Sequence, residues 1–312
     1  MFIPIELYGQ RIDKILSVLL PQYSRVQLSL WLKQGIITVE SQLVKAKDKF
    51  NYSAHIELPE HFPLIINDNN VHAPEEMLLD IIYEDNDLLI INKPVGLIVH
   101  PGAGNSKHTL LNGLLYHRPQ LHALPRAGIV HRLDKNTSGL LLIAKTIMAY
   151  NALVRQLQAH EIQRHYYALV HGNVIGGGTI DTYFRRHPHN RLKMTVCNSG
   201  KQAITNYKLI KQYGALTLLE VTLETGRTHQ IRVHMAHINH HIVGDNLYGK
   251  RMRNLLQWPG VLIDEINSFV RQALHATKLV FLHPRTRVLL TITVPIPADI
   301  AELLKLLEIY GI

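Results

Sequence analysis

Residues 128–146, GIVHRLDKNTSGLLLIAKT, constrain this chain more than any other stretch. His131, Arg132, Asp134 and Lys135 stand at its centre, followed by Thr137, Ser138 and Gly139, with an apolar run before them and a longer one after. That pattern predicts two core strands joined by a polar turn. Charges inserted between buried segments need partners, because an unpaired buried charge is strongly destabilising unless its pKa shifts until it neutralises. Asp134 is therefore the first candidate for chemistry. An Asp that caps a turn and bonds to Arg132 is the alternative, and the segment by itself leaves both open.

Around this segment, 312 residues suffice for one large domain and a small module. The net charge is +9 before any of the 20 histidines protonates, which points to a polyanionic partner, nucleic acid rather than a membrane surface. Cys197 is the single cysteine, so an internal disulfide and a cysteine-rich zinc site are both excluded. The start, MFIPIELYGQRID, meets charges too early for a signal peptide, and no run approaches the ~20 apolar residues of a membrane span. A cytoplasmic protein without a membrane partner, monomeric by default, is expected.

Composition divides the chain. Residues 1–60 form a small basic unit, residues 61–77 a linker rich in Pro, Asn and Asp, and residues 78–312 the main domain. In the first unit, residues 11–20 carry Ile12, Ile15, Leu16, Leu19 and Leu20 at helical spacing, and Ser24 is placed to cap a second helix over 25–33. Short strands are expected at 36–40 and 53–58. In the main domain, 81–83 and 88–91 form a hairpin, and a helix is expected at 110–116. A strand follows at 140–143, then a helix capped by Thr146 and running to about 162. Further strands are expected at 166–170, 203–210, 216–223, 274–282 and 288–294, with a closing helix at 298–309. Strands without regular βαβ alternation imply an α+β class with a mixed, largely antiparallel sheet.

A second charged island, ETGRTHQIRVHMAHINHH, spans residues 224–241. Gly226 permits a sharp turn, Thr228 can cap the helix after it, and that helix carries Arg232 on the side of Thr228 and His229. Arg227, at the turn, is free to point into a cleft, where a guanidinium holds a carboxylate bidentately. His229, His234, His237, His240 and His241 suggest zinc, yet the HExxH spacing is absent and no Cys or acidic ligand completes a set. Histidines beside a phosphate-binding surface are the simpler account. HPGAGN at 100–105 lacks the Gly-Lys-Ser/Thr ending of a P-loop, and Ser138 lacks a G-x-S-x-G elbow. No metal and no nucleotide cofactor is indicated. In residues 164–172, RHYYALVHG, the tyrosines either pack in a core or stack on a base.

Taken together, HRLDKNTSG at 131–139, TGRTHQIRVH at 225–234 and VHPGAGN at 99–105 resemble the RluA-type RNA pseudouridine synthases, most like those that modify large-subunit ribosomal RNA. NKPVG at 92–96, VGDNLYG at 243–249 and QALHA at 272–276 extend the resemblance, which runs from Gln10 to about Pro297. It implies the pseudouridine synthase fold, isomerisation of uridines in large-subunit ribosomal RNA or ribosomal particles, and no cofactor. It also implies Asp134 as the catalytic residue, Tyr166 stacked on the target uracil, and Arg227 paired with the carboxylate. Whether the Asp acts as a nucleophile or removes the C2′ proton stays open.

The first unit resembles the S4 RNA-binding domain through QRIDK and YSR, departing at Glu40-Ser41, where an Asn-Gly turn is more usual. That resemblance implies RNA contacts by Arg11, Lys14, Arg25 and Lys33. In the main domain His131, Arg132, His229, Gln230 and Arg232 are the expected RNA-binding residues. A non-catalytic RNA-binding or ribosome-assembly protein, and a hydrolase using His131 or His229 as base, are the competing functions.

Overall fold

The computed structural model describes residues 1–20, 23, 25–59, 73–101, 107–249 and 258–310, without the side chains of residues 26 and 27. Ser24, most of the expected linker and both glycines of the 99–105 motif lie outside the described residues. The chain divides into two compact units, Met1–Val71 and His72–Ile312.

In the first unit, α1 (Ile12–Leu19) buries Ile12, Ile15 and Leu16, one face at i, i+3 and i+4 spacing. Leu28, Trp31 and Leu32 of α2 (Arg25–Lys33) join the same apolar cluster. The expected strands shrink to β1 (Thr38–Val39) and β2 (Ile56–Glu57), an antiparallel pair. Glu40 and Ser41 adopt left-handed φ values of 51° and 57°, so the tight turn forms without its usual Asn-Gly. Asp13, buried at the start of α1, accepts bonds from Arg11 (3.0 Å) and Arg25 (2.8 Å). Burial would raise its carboxyl, but the two guanidinium bonds outweigh that and hold it low.

The second unit is built on one sheet. Its strands are β3 (Ile81–Glu84), β4 (Leu88–Lys93), β5 (Ser138–Ala144), β6 (Gln163–His171), β7 (Gly178–Arg186), β8 (Met194–Cys197), β9 (Lys201–Tyr213), β10 (Leu216–Leu223), β11 (Leu274–Leu282) and β12 (Leu289–Thr293). The order is β3-β4-β5-β11-β6-β10-β9-β7-β8, with β12 also on β11. Among the described pairs only β5 with β11 is parallel. The mixed, largely antiparallel α+β class therefore holds. Helices α3 (Leu110–His117), α4 (Ile147–Gln158), α5 (Gln230–His237), α6 (Gly260–Ser268) and α7 (Ala298–Ile309) complete it. Among the described residues no helix is long and apolar enough to cross a membrane.

All seven residues of β5 are buried, as a continuous apolar run between two neighbouring strands requires. The run before Asp134 is not its twin. Pro125–Gly128 is a short 3₁₀ turn with Arg126 and Ala127 at left-handed φ, and only Ile129 bridges to Ile143. The opening segment is thus one strand fed by an irregular loop. Gly139 is required at the mouth of β5: a Cβ there would lie 2.2 Å from the Ala276 carbonyl oxygen, and its φ is +112°. Strands β7 and β8 and helix α6 were not anticipated, and α4 stops at Gln158, short of 162.

Burial holds four histidines neutral: His131 is pushed down to about 3, and His171, His234 and His275 to about 4. Below pH 6.5 the unfolded chain takes up protons that the folded chain refuses, so stability falls as pH drops toward 4. For His234 and His275, which are 0% and 1% exposed, the loss by pH 4 is roughly 3 kcal/mol each. Urea midpoints at pH 7 and pH 4.5 check this, and equal midpoints would refute it.

Candidate active site

Asp134 sits in the loop before β5, where its carbonyl accepts the Thr137 N–H at 3.1 Å and closes the polar turn. Its Oδ2 accepts a bond from Nη1 of Arg232 at 2.9 Å. Arg232 is 7% exposed and reaches Asp134 from α5. The rest of its guanidinium forks onto Asp245, Nε to Oδ2 at 2.7 Å and Nη2 to Oδ1 at 2.8 Å. One arginine therefore links two carboxylates. Burial alone would lower its pKa, but the bond with Asp245, aided by Asp134, drives it upward and keeps it a cation.

Asp245 is anchored in turn. Its Oδ1 accepts the N–H groups of Leu247 (2.9 Å) and Tyr248 (3.0 Å), so the VGDNLYG loop wraps the arginine. The Tyr248 ring lies 5.1 Å from the Arg232 guanidinium carbon, and its hydroxyl accepts the Met194 N–H at 2.8 Å. That hydroxyl also bonds Nδ1 of His229 at 2.9 Å. His229 takes a left-handed φ of 58° at the N-cap of α5 and places Nε2 3.9 Å from Oδ1 of Asp134. Burial lowers its pKa and Asp134 opposes the shift. Among the described residues Oδ1 of Asp134 has no hydrogen bond. The carboxylate is held by one oxygen and open at the other.

Tyr166, on β6, is 4% exposed and lies across from Ala276 of β11 and Val221 of β10. Burial raises its pKa; the Arg164 guanidinium opposes that rise and the negative charge of Asp134 adds to it. Tyr167, its neighbour, is only half-buried.

Residues 87–237 match the model of the RNA pseudouridylate synthase family. A Xylella fastidiosa protein named ribosomal large subunit pseudouridine synthase D is 44% identical over 98% of this chain and 91% of its own length. A Neisseria meningitidis protein of the same name is 46% identical over 98% of this chain and 81% of its own. The chain belongs to the RNA pseudouridylate synthase family. Two solved human structures share the fold. RNA Pseudouridylate Synthase Domain Containing 4 has a TM-score of 0.57 at 22% identity, covering 73% of this chain and 93% of its own. RNA Pseudouridylate Synthase Domain Containing 1 has a TM-score of 0.54 at 23%, covering 74% and 95%.

Within this family member, several expected site residues stand elsewhere. Arg227 does not meet Asp134: it is exposed and its Nε donates to the Gln202 carbonyl at 2.9 Å. The turn points residue 227 outward, whereas residue 232 lies on a helix whose positions 230–235 are all buried. A Cβ at Gly226 would lie 2.6 Å from Nη1 of the buried Arg164, so a larger residue there would have to displace that guanidinium. Gln230, expected at RNA, is 2% exposed; it accepts the Thr225 hydroxyl (2.8 Å) and the Arg227 N–H (2.9 Å), tying the turn to α5. His131 is no RNA cation, since its Nε2 accepts the Leu142 N–H at 3.0 Å and burial keeps it neutral. The cap expected from Thr228 is absent, and His229 occupies that position.

Arg132 is exposed beside the site, and Lys14 and Lys33 are exposed in the first unit, where Arg11 and Arg25 are bonded to Asp13. Among the described residues no three His, Cys, Asp or Glu side chains gather as a metal would need. Asp245 and Tyr248 were missed, although a lone acid and an aromatic inside VGDNLYG were the available signal. Also missed was the end of β7 with its connection to β8, where residues 185–193 carry Arg185, Arg186, Arg191 and Lys193 without an acid. Its far end meets the site, with Nζ of Lys193 5.8 Å from the Tyr248 ring centre.

Proposed function

We propose that this family member isomerises uridines to pseudouridine in large-subunit ribosomal RNA, with Asp134 as the catalytic residue. The observation that carries the reading is a carboxylate clamped at Oδ2 by Arg232, with Oδ1 free. Isomerisation breaks N1–C1′, turns the base, joins C5 to C1′ and removes the C5 proton. The free oxygen is the one that attacks the nucleotide or takes the C2′ proton. Arg232 fixes its direction, and Tyr166 supplies the face on which the extruded uracil stacks. Large-subunit RNA as substrate follows the names of the relatives from Xylella and Neisseria, and a cytoplasmic enzyme is the reading that goes with such a substrate. Incubating the enzyme with [5-³H]uridine-labelled large-subunit RNA should release tritium. Intact RNA with all its label retained would reject the activity.

Arg132 and the basic 185–193 segment suit the displaced RNA backbone. The first unit, two helices then a short β pair with exposed Lys14 and Lys33, fits an S4 RNA-binding module at residues 1–60. Removing residues 1–70 should weaken RNA binding and flatten its dependence on salt, because fewer counterions are released. An unchanged salt slope would reject the S4 role.

A further inference from the structure

His229 precedes α5 with a left-handed φ of 58°, a conformation that a residue bearing a Cβ keeps where its surroundings hold it. Tyr248 holds it, through the bond between its hydroxyl and Nδ1 at 2.9 Å. That hydroxyl already accepts the Met194 N–H at 2.8 Å, so its own proton is the one left to give, and Nδ1 receives it. A neutral imidazole that accepts at Nδ1 carries its ring proton at Nε2. Nε2 lies 3.9 Å from Oδ1 of Asp134, beyond hydrogen-bond reach, and neither atom has a hydrogen bond among the described residues. Side chains 19% and 15% exposed thus present a free donor and a free acceptor side by side, unjoined. A nucleotide that offers one atom to the carboxylate offers a neighbouring atom to the imidazole.

We propose that His229 is a second catalytic residue of the isomerisation, its Nε2–H donating to O2 of the target uracil as N1–C1′ breaks. The proposal rests on the role given to Asp134 above. When that bond breaks, its electron pair stays with the base, and the charge spreads from N1 onto the carbonyl oxygens. O2 is carried by the carbon next to N1, so it is the base oxygen nearest C1′ and C2′, the atoms that Asp134 has to reach. A donor beside Oδ1 therefore meets O2. The bond strengthens as charge builds on the oxygen, which favours the transition state over the bound substrate. No proton changes hands at His229. When C5 attacks C1′, the anion's electron pair forms the new C–C bond and C5 then releases its proton.

Donor and acceptor can be altered one at a time in the full-length enzyme. His229→Asn suits the left-handed φ and keeps an amide where Nδ1 meets Tyr248, but it has no group at the Nε2 position. It should fold, bind RNA within about threefold of wild type, and lower the single-turnover rate by about 10²-fold. His229→Gln, whose amide can reach the Nε2 position, should recover about tenfold of that loss. The decisive probe is RNA carrying 2-thiouridine, in which sulfur, a weak acceptor, replaces O2. Digestion and mass spectrometry count the C5-linked nucleoside. The thio substitution should slow the wild type about tenfold and His229→Asn by less than about twofold, because the bond it weakens is already gone. Equal thio effects in the two enzymes, or a loss confined to RNA affinity, would overturn the proposal, since a histidine with only a structural role does not sense that one atom. Wild-type turnover with equal thio effects removes His229 alone. A wild type that forms no C5-linked nucleoside from uridine removes the activity reading, and this proposal with it.

Discussion

Asp134→Asn should give a folded protein that binds RNA and forms no pseudouridine, with tritium release down by about 10³-fold or more. Asn keeps the shape and can still accept from Arg232, so the turn held by Thr137 and Lys93 persists. What is lost is the free anionic oxygen that has to attack the nucleotide or remove its proton. The side chain is only 15% exposed, and Asp245 still neutralises Arg232, so thermal stability should change little. Tritium release and pseudouridine mapping on the same RNA decide it: turnover within tenfold of wild type would remove Asp134 from the chemistry.

Arg232 and Arg227 should separate sharply. Arg232→Ala strips the partner from Asp134 and leaves Asp245, 5% exposed, as an uncompensated buried anion. Breaking one side of such a pair costs about 3–5 kcal/mol, so the urea midpoint should drop along with activity. Adding Asp245→Asn to that variant should recover much of the stability, because the stranded charge is removed, but none of the activity. Arg227→Ala loses one bond to the Gln202 carbonyl at an exposed site and should cost under about 1 kcal/mol. If Arg227→Ala were the more damaging in both assays, the pairing of Arg232 with Asp134 would not be what supports the enzyme.

The contrast between these two arginines also marks how far the residues could be read in one dimension. Helix periodicity found α1, α2, α3 and α7 within a residue or two, and the apolar runs found β4, β10 and β11. Polar residues inside the 131–139 motif drew attention to Asp134 for a sound reason, since ionic groups between buried segments require partners. Failures came where burial was uniform. Helix α5 is buried along residues 230–235, so it shows no polar face to separate Gln230 and Arg232 from solvent-facing positions. Strands β7 and β8 carry mixed polar and apolar residues at the sheet's end, β7 partly exposed and β8 half-buried throughout, and gave no apolar run to notice.

The linear order of residues determined the class of the fold, the family and the candidate carboxylate, because each is written in local pattern: periodicity, runs of apolar residues and contiguous motifs. It did not determine which cation meets that carboxylate, or that His131 and Gln230 turn inward. Those depend on contacts across 98 residues, as from Asp134 to Arg232, or 42, as from Lys93 to Lys135. Such contacts are settled by strand order and helix rotation, which fix the direction of each side chain only once the core has closed.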